Sequence, residues 1–517
     1  MKRVFHMRST SFLLVLLLAS ASLVACAGGG DDNDNDNETA TSISTAIVSE
    51  AASSPAATSE ATATLTMNAG SPTARPRTEA SPTARLATPS VTARATATAP
   101  VRTIATQAPT TTTAATVTVD GGSAEAVTLE LVQQGFSEVQ AYDEVAFGFI
   151  VVNPDADNAV INTEYRVIVY EGDAELASDD GYLDYVLPGQ RIGVGGSIFI
   201  PSGRNADSVV IALTPGEAAA PELDAGLMAS NITYYAESVF PSATGVISTT
   251  SAEPLQDFEV FAVAYDAAGT IVGGGYTFVS FILPNGSTGV EVAVSSADEP
   301  ERVELFPVVT SLTIFGLSGT SSTGAQPLGI VADGFGPSGF ENELGWGIIV
   351  ENPNAGLAAE TTAYQTTAYA ADGKVLGVYS SFISLLLPGE RLGLGGSFYL
   401  PPGTTADRLE FEVLGRYFSE TTVQAGFLTP VDVTYVADEF SPRVTGTIQN
   451  SLDRELRDIE VYAIAYNAGG QIIGGGFTFV DSIEAGGQAQ AEVTIAVGEE
   501  PAAVEVFATV SSLSDIE

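Results

Sequence analysis

The feature that most constrains this 517-residue chain is that it contains itself twice. Leu187-Pro188-Gly189-Gln190-Arg191-Ile192-Gly193-Val194-Gly195-Gly196-Ser197 returns as Leu387-Pro388-Gly389-Glu390-Arg391-Leu392-Gly393-Leu394-Gly395-Gly396-Ser397. Asn153-Pro154 returns as Asn352-Pro353, and Phe258–Tyr265 returns as Ile459–Tyr466. Gly273-Gly274-Gly275-Tyr276-Thr277-Phe278-Val279 returns as Gly474-Gly475-Gly476-Phe477-Thr478-Phe479-Val480. A tandem duplication of this kind must fold as a string of similar units. A weaker repeat inside each copy aligns Tyr165–Tyr170 with Phe258–Tyr265 and divides the body into four units.

Each unit reads as β-structure. Val290, Val292 and Val294 alternate with Glu291 and Ala293, as in a half-buried strand. In Glu259–Tyr265, Val260, Ala262 and Ala264 share one face and Phe261, Val263 and Tyr265 the other. That pattern suits a strand covered on both sides, or one with large residues inward and small ones outward. Asp266-Ala267-Ala268-Gly269 and Asn467-Ala468-Gly469-Gly470 read as hairpin turns. No long helical periodicity interrupts the body. The expected fold class is therefore all-β: tandem immunoglobulin-like β-sandwiches, four units in two duplicated pairs, after a disordered linker. The expected boundaries are 127–222, 223–316, 326–424 and 425–513.

The string Phe261-x-Val263-x-Tyr265-Asp266-x-x-Gly269, followed by Ile271-Val272-Gly273 and a Pro turn, resembles the FxLYD domain. The likeness is best in the second and fourth units, although Asn467 replaces the Asp in the fourth. The resemblance implies an immunoglobulin-like fold, occurrence in exported prokaryotic lipoproteins, and no assigned activity.

The N-terminus points the same way. Lys2, Arg3 and Arg8 precede a short apolar run from Ser11 to Ala19, which is the charge and hydropathy pattern of a secretory signal. The run is shorter than the ~20 residues that span a bilayer. Leu23-Val24-Ala25-Cys26 follows and closely resembles the bacterial lipobox. The resemblance implies cleavage after residue 25 and lipidation of Cys26, hence a signal peptide over 1–25 and a membrane-anchored, extracytoplasmic body. An ordinary signal peptide with an incidental Cys is the weaker reading, because Cys26 is the only Cys in the chain.

Residues 26–126 are expected to form a disordered linker rich in Ser, Thr, Ala and Pro and free of aromatic residues. As a flexible coil its ends would lie roughly 50–60 Å apart. Its Asp31–Glu38 run offers hard oxygens but lacks the spaced loop of an EF-hand, so a solvated spacer is favoured over a Ca²⁺ site. Arg75, Arg77, Arg85, Arg94 and Arg102 form a basic stretch that could meet an anionic wall polymer or the acidic body; a solubilising linker is the preferred reading.

Composition narrows the chemistry. The net charge is -44, which disfavours nucleic acid as a partner. The single His, His6, lies in the expected signal peptide. The mature body would then lack His and Cys, which removes Ser–His dyads, thiolate nucleophiles and Cys/His zinc sites. No catalytic, cofactor or metal residues are assigned. Gly193-Val194-Gly195-Gly196 precedes a strand and not a helix, so bulge or close-packing glycines are expected in place of a phosphate loop. Asn153–Asn158 reads as a turn and not a cation site, since its copy Asn352-Pro353-Asn354 lacks the acids. Arg191 and Arg391 read as turn-flanking surface charges, and Trp346, with Phe147 as counterpart, as core.

The functional expectation is a non-enzymatic binding or accessory module of the cell envelope. Its partners would be the membrane, through the lipid, and an envelope protein or cell-wall polymer. A structural spacer is the rival, and an importer's solute-binding component ranks third because no alternating βα pattern is present. Exposed aromatics or polar loops shared by the two copies would favour binding; featureless, divergent loops would favour the spacer.

Overall fold

The computed structural model describes residues 126–221, 224–236, 240–316, 324–438 and 440–511. Cys26, the lipobox residues Leu23, Val24 and Ala25, and the basic and acidic runs of the linker lie outside the described residues.

The described chain is all-β, with one 3-10 turn at Gln140–Tyr142 and no α-helix. Its principal strands fall into four sets of six. The first set is β1 (Glu130–Val139), β2 (Glu144–Val152), β3 (Ala159–Glu171), β4 (Ala174–Val186), β5 (Arg191–Phe199) and β6 (Ser208–Thr214). The second is β7 (Met228–Tyr235), β8 (Ser242–Ser248), β9 (Leu255–Tyr265), β10 (Ile271–Ile282), β11 (Ser287–Ala293) and β12 (Arg302–Val308). The third is β13 (Gly329–Pro337), β14 (Glu343–Glu351), β15 (Leu357–Tyr369), β16 (Val375–Leu386), β17 (Arg391–Tyr399) and β18 (Arg408–Leu414). The fourth is β19 (Leu428–Val436), β20 (Arg443–Asn450), β21 (Leu456–Tyr466), β22 (Ile472–Ile483), β23 (Gln488–Thr494) and β24 (Ala503–Val510).

Every set pairs in the same antiparallel order. The first, second and fifth strands make one sheet, and the fourth, third and sixth make the other. The two sheets enclose an apolar core, as in an immunoglobulin-like sandwich. In the first sandwich Val145, Phe147, Phe149 and Val151 of β2 meet Val160, Val167 and Val169 of β3. In the third, Trp346 is fully buried against Tyr364, Tyr379 and Phe411. Phe147 holds the matching place in the first core.

Local signals repeat with the fold. Asn162, Asp257, Thr361 and Asp458 occupy positive φ at the same point of the third strand of each sandwich. The turn before the fifth strand carries Gly189, Asn285, Gly389 or Gly486 at positive φ, a conformation open to Gly and Asn. Asn153, Asn352 and Asn450 are buried, and each side-chain amide faces three backbone carbonyls. Asn153 is therefore a tie between two loops, a role the turn reading of Asn153–Asn158 did not include. In the second sandwich Thr249 stands at this place.

The sandwiches meet face to face at three joints. At the first, the β1–β2–β5 sheet lies on the β10–β9–β12 sheet, and the two glycine motifs found in the sequence are brought together. A Cβ on Gly195 would stand 2.0 Å from the Ala262 carbonyl oxygen and 2.9 Å from Gly274 Cα. Gly148 likewise sits on Ile271 and Gly273. The same contact recurs at the third joint, where a Cβ on Gly395 would be 2.9 Å from Gly475 Cα. Glycine is required here because the backbones touch. Sheet faces normally stand about 10 Å apart, with side chains between them.

This packing resolves the two readings of β9. Val260, Ala262 and Ala264 face their own core, while Val263 and Tyr265 pack with Ile150 and Ile271 at the joint. The strand is covered on both sides. The middle joint differs in chemistry. Thr244 Oγ1 donates to the Val375 carbonyl at 2.8 Å, Thr288 Oγ1 donates to Glu412 at 2.9 Å, and the Gln365 amide donates to the Gly289 carbonyl at 3.1 Å.

Candidate binding site: paired aromatic ledges

At each glycine joint the covering sheet is shorter than the sheet it covers, and part of the lower face is left bare. On β9 and β10, Phe261 lies opposite Tyr276 and Glu259 lies opposite Phe278. These four residues form a tile on one face of the sheet, because cross-strand partners point the same way. The rings run in a row: Phe261 to Tyr276 at 6.2 Å, and Tyr276 to Phe278 at 6.0 Å edge-to-face. Phe261 is buried, but Tyr276 and Phe278 are 54% and 56% exposed.

The tile is duplicated. On β21 and β22, Tyr462 lies opposite Phe477 and Glu460 opposite Phe479. The ring spacings are 6.1 and 5.8 Å, and Phe477 and Phe479 are 44% and 61% exposed. Large aromatics exposed at matching places in both copies are unusual for a surface whose only role is solubility.

Each tile contains a half-buried carboxylate. Burial, with the Asp184 charge adding to it, pushes Glu259 up to about 7. Burial also raises Glu460, which is held by hydrogen bonds from Tyr462 Oη at 2.8 Å and Ser384 Oγ at 3.5 Å. Ser384 is the counterpart of Asp184, so the second ledge satisfies its acid with hydroxyls where the first sets two acids near each other. Beside the first ledge a pocket of about 530 Å³ opens between the sandwiches, lined by Asn162, Asp184, Tyr185, Ala219, Thr310 and Ser311.

The sequence reading did not single out these ledges. The repeated Gly-Gly-Gly-aromatic-Thr-Phe-Val motif carried the signal, in aromatics kept two residues apart in both copies. Nothing local distinguished them from core aromatics, since only the shortness of the covering sheet exposes them.

The other candidate positions are structural. Gly193, Gly195 and Gly196 are close-packing glycines, and Gly193 lies under Phe306. Arg191 corrects the expectation of a turn-flanking surface charge. Its guanidinium crosses the first joint to Glu304 at 2.8 Å and Tyr265 Oη at 3.2 Å, and lies 5.1 Å from the centre of the Phe306 ring. It is drawn in because the joint offers both a carboxylate and ring faces. Arg391, its copy, is exposed on β17. Among the described residues no group of three or more acids, His or Cys is placed to hold a metal ion.

No family model matches the chain, and no curated protein matches it. Among solved structures it is similar to "Biofilm associated protein - BSP domain", at 8% identity over 77% of this chain and 97% of that one, with a TM-score of 0.11. It is also similar to the alpha-2-macroglobulins of Salmonella and E. coli, each at 12% identity and a TM-score of 0.10. These matches cover 75% and 74% of this chain, which spans about a third (32%) of each macroglobulin.

Proposed function

We propose that this protein is an exported lipoprotein, anchored in the membrane through Cys26, whose body is a non-catalytic binding or accessory module of the cell envelope. In this reading the second and fourth sandwiches are of the FxLYD kind, and the partner is an envelope protein or wall polymer. The observation that carries the binding role is the duplicated ledge: Tyr276 with Phe278, and Phe477 with Phe479, exposed at matching places. Two like sites on one chain favour a partner with repeated features, since the second contact forms at high effective concentration. A rigid spacer is the second reading. It is supported by the backbone contacts of Gly195 and Gly395, which lock neighbouring sandwiches together.

Cross-linking in cells tests the proposal. The chain has only two lysines, Lys2 and Lys374, so carboxylate-directed chemistry is needed. One dominant partner, captured by the natural chain and lost from the Tyr276→Ser, Phe278→Ser, Phe477→Ser, Phe479→Ser variant, is the expected result. Identical captures by both proteins would remove the binding role and leave the spacer.

A further inference from the structure

The strand register that makes each ledge is present in all four sandwiches, and what meets the ring there differs. The cross-strand partners at this register are Glu164 with Tyr182, Glu259 with Phe278, Ala363 with Phe382, and Glu460 with Phe479. A ring therefore stands at this place in every sandwich, with a carboxylate opposite it in all but the third. The third shows what such a ring can hold. The guanidinium of Arg416 lies 5.6 Å from the centre of the Phe382 ring, and it donates to Gln256 and Asp257 of the second sandwich. Arg416 is buried there, at the middle joint. A ring face attracts a cation, and a carboxylate accepts the N–H groups at the edge of a guanidinium. The first sandwich also supplies its own cation on this face: Arg166, two residues from Glu164, pairs with Glu175 and Asp180.

The two ledges have the ring and the carboxylate without the cation. Leu414, Val308 and Thr509 lie opposite Ala363, Glu259 and Glu460. Two residues further on, the third sandwich has Arg416, whereas the second has Thr310 and the fourth Ser511. Among the described residues no arginine or lysine acts on either ledge carboxylate. Glu259 has the Asp184 charge near it, and Tyr276 feels Glu259 together with Asp179. Glu460 receives two hydroxyl bonds, and a carboxylate accepts about four. The surroundings are acidic as well, since 53 of the chain's 63 acids lie from Ala126 onward, against 11 of its 19 cations.

A sugar ring fits the ledges less well. The two exposed rings of each ledge meet edge to face, at 88° in the first and 90° in the second, so they offer no common plane for a sugar to stack on. A guanidinium needs only one ring face and one carboxylate.

We infer that each ledge binds an arginine side chain of a partner protein, its guanidinium stacked on Phe278 or Phe479 and paired with Glu259 or Glu460. The inference rests on the binding role proposed above and names its chemistry. It gives the second and fourth sandwiches from outside the cation that Arg416 gives the third from within.

The test uses the full chain in detergent at physiological salt, titrated into a rhodamine-labelled, end-capped peptide of alternating Arg and Gly and followed by fluorescence anisotropy. The natural chain should bind it at least about tenfold more tightly than the Tyr276→Ser, Phe278→Ser, Phe477→Ser, Phe479→Ser variant, which lacks the ring faces. The same peptide with citrulline, similar in shape but uncharged, should bind the natural chain at least about tenfold more weakly. Glu259→Gln with Glu460→Gln, which keeps the rings, should weaken binding in the same direction, and it serves if the aromatic variant fails to fold. Equal affinities of the natural chain and both variants would reduce the binding to general attraction between a basic peptide and an acidic body, and would overturn the inference. A neutral wall glycan that binds the natural chain and is lost from the aromatic variant, while the arginine peptide binds both alike, would overturn it in favour of a sugar site. If peptide affinities are equal but the dominant capture in cells is still lost from the aromatic variant, the binding role stands and only the arginine chemistry fails. If the captures are identical too, both fail.

Discussion

Gly195 and Gly274 meet backbone to backbone across the first joint, and a Cβ on Gly195 would stand 2.9 Å from Gly274 Cα and 2.0 Å from the Ala262 carbonyl oxygen. Neither neighbour is a side-chain tip that could swing away. The two sheets must part to admit even a methyl group.

Gly195→Ala and Gly395→Ala should therefore each destabilise the body by about 1–3 kcal/mol, the usual cost of overpacking. Gly356→Ala is the control: a Cβ there meets nothing within 4 Å, and a change within about 0.5 kcal/mol is expected. Urea unfolding followed by the single, buried Trp346 reads the third sandwich directly, so Gly395→Ala should lower its midpoint. An unchanged midpoint would mean that the joint adds nothing to the stability of that sandwich.

The buried amides make a second test. Asn352→Ala takes the side-chain amide donor from the carbonyls of Leu357, Leu386 and Leu387, the last of which keeps only the Glu390 N–H. Buried acceptors left in this state cost about 1–3 kcal/mol. Asn153→Ala and Asn450→Ala should cost similar amounts. Thr249→Ala removes one donated bond, to Ala225 O, and one accepted from Ser251 N–H, and should cost less than the loss of three donated bonds. Equal losses at all four positions would argue against the amide as the tie.

The two copies differ at one turn in a way that predicts a pH effect. Glu390 accepts the Leu387 N–H at 2.7 Å, where the first copy uses Gln190 on Leu187 N–H at the same distance. Burial pushes Glu390 up to about 7. A carboxyl whose pKa is raised on folding binds its proton more tightly in the folded state, so stability falls as pH rises from about 4.5 to about 7 and then levels. Glu390→Gln should be more stable than the natural chain at pH 8, with the gain shrinking as pH drops through that window. Thermal melts at several pH values check it, and a gain that is constant with pH would contradict the assignment.

Arg191 and Arg391 test position against type. Arg191→Ala leaves the first joint without its link to Glu304 and Tyr265 and should cost about 1–3 kcal/mol, and less in high salt. Arg391→Ala, on an exposed site, should stay within about 0.5 kcal/mol. Denaturant midpoints of the two variants are enough. A larger loss at Arg391 would reverse the reading.

The similarity of the copies also fails where the fold demands it. Glu164, Arg166 and Ile168 of β3 correspond to Ala363, Gln365 and Thr367 of β15. Arg166 is exposed and pairs with Glu175 and Asp180, whereas Gln365 and Thr367 are buried against the second sandwich. The first copy presents that sheet face to water, and the third presses it onto a neighbour. The divergence looks like drift in the sequence, but in the fold it marks the middle joint.

Alternation, turn residues and the 200-residue repeat determined the strands, the four units and the all-β class, because each is set by contacts a few residues apart or by copying. Only the tertiary structure decided that Gly195 meets Gly274, that Arg191 is a tie while Arg391 is not, and that Tyr276 and Phe278 face solvent. Those outcomes depend on how far one sheet extends over another about 80 residues away. The same residue pattern serves a covered face and a bare one, and the choice between them belongs to the packing.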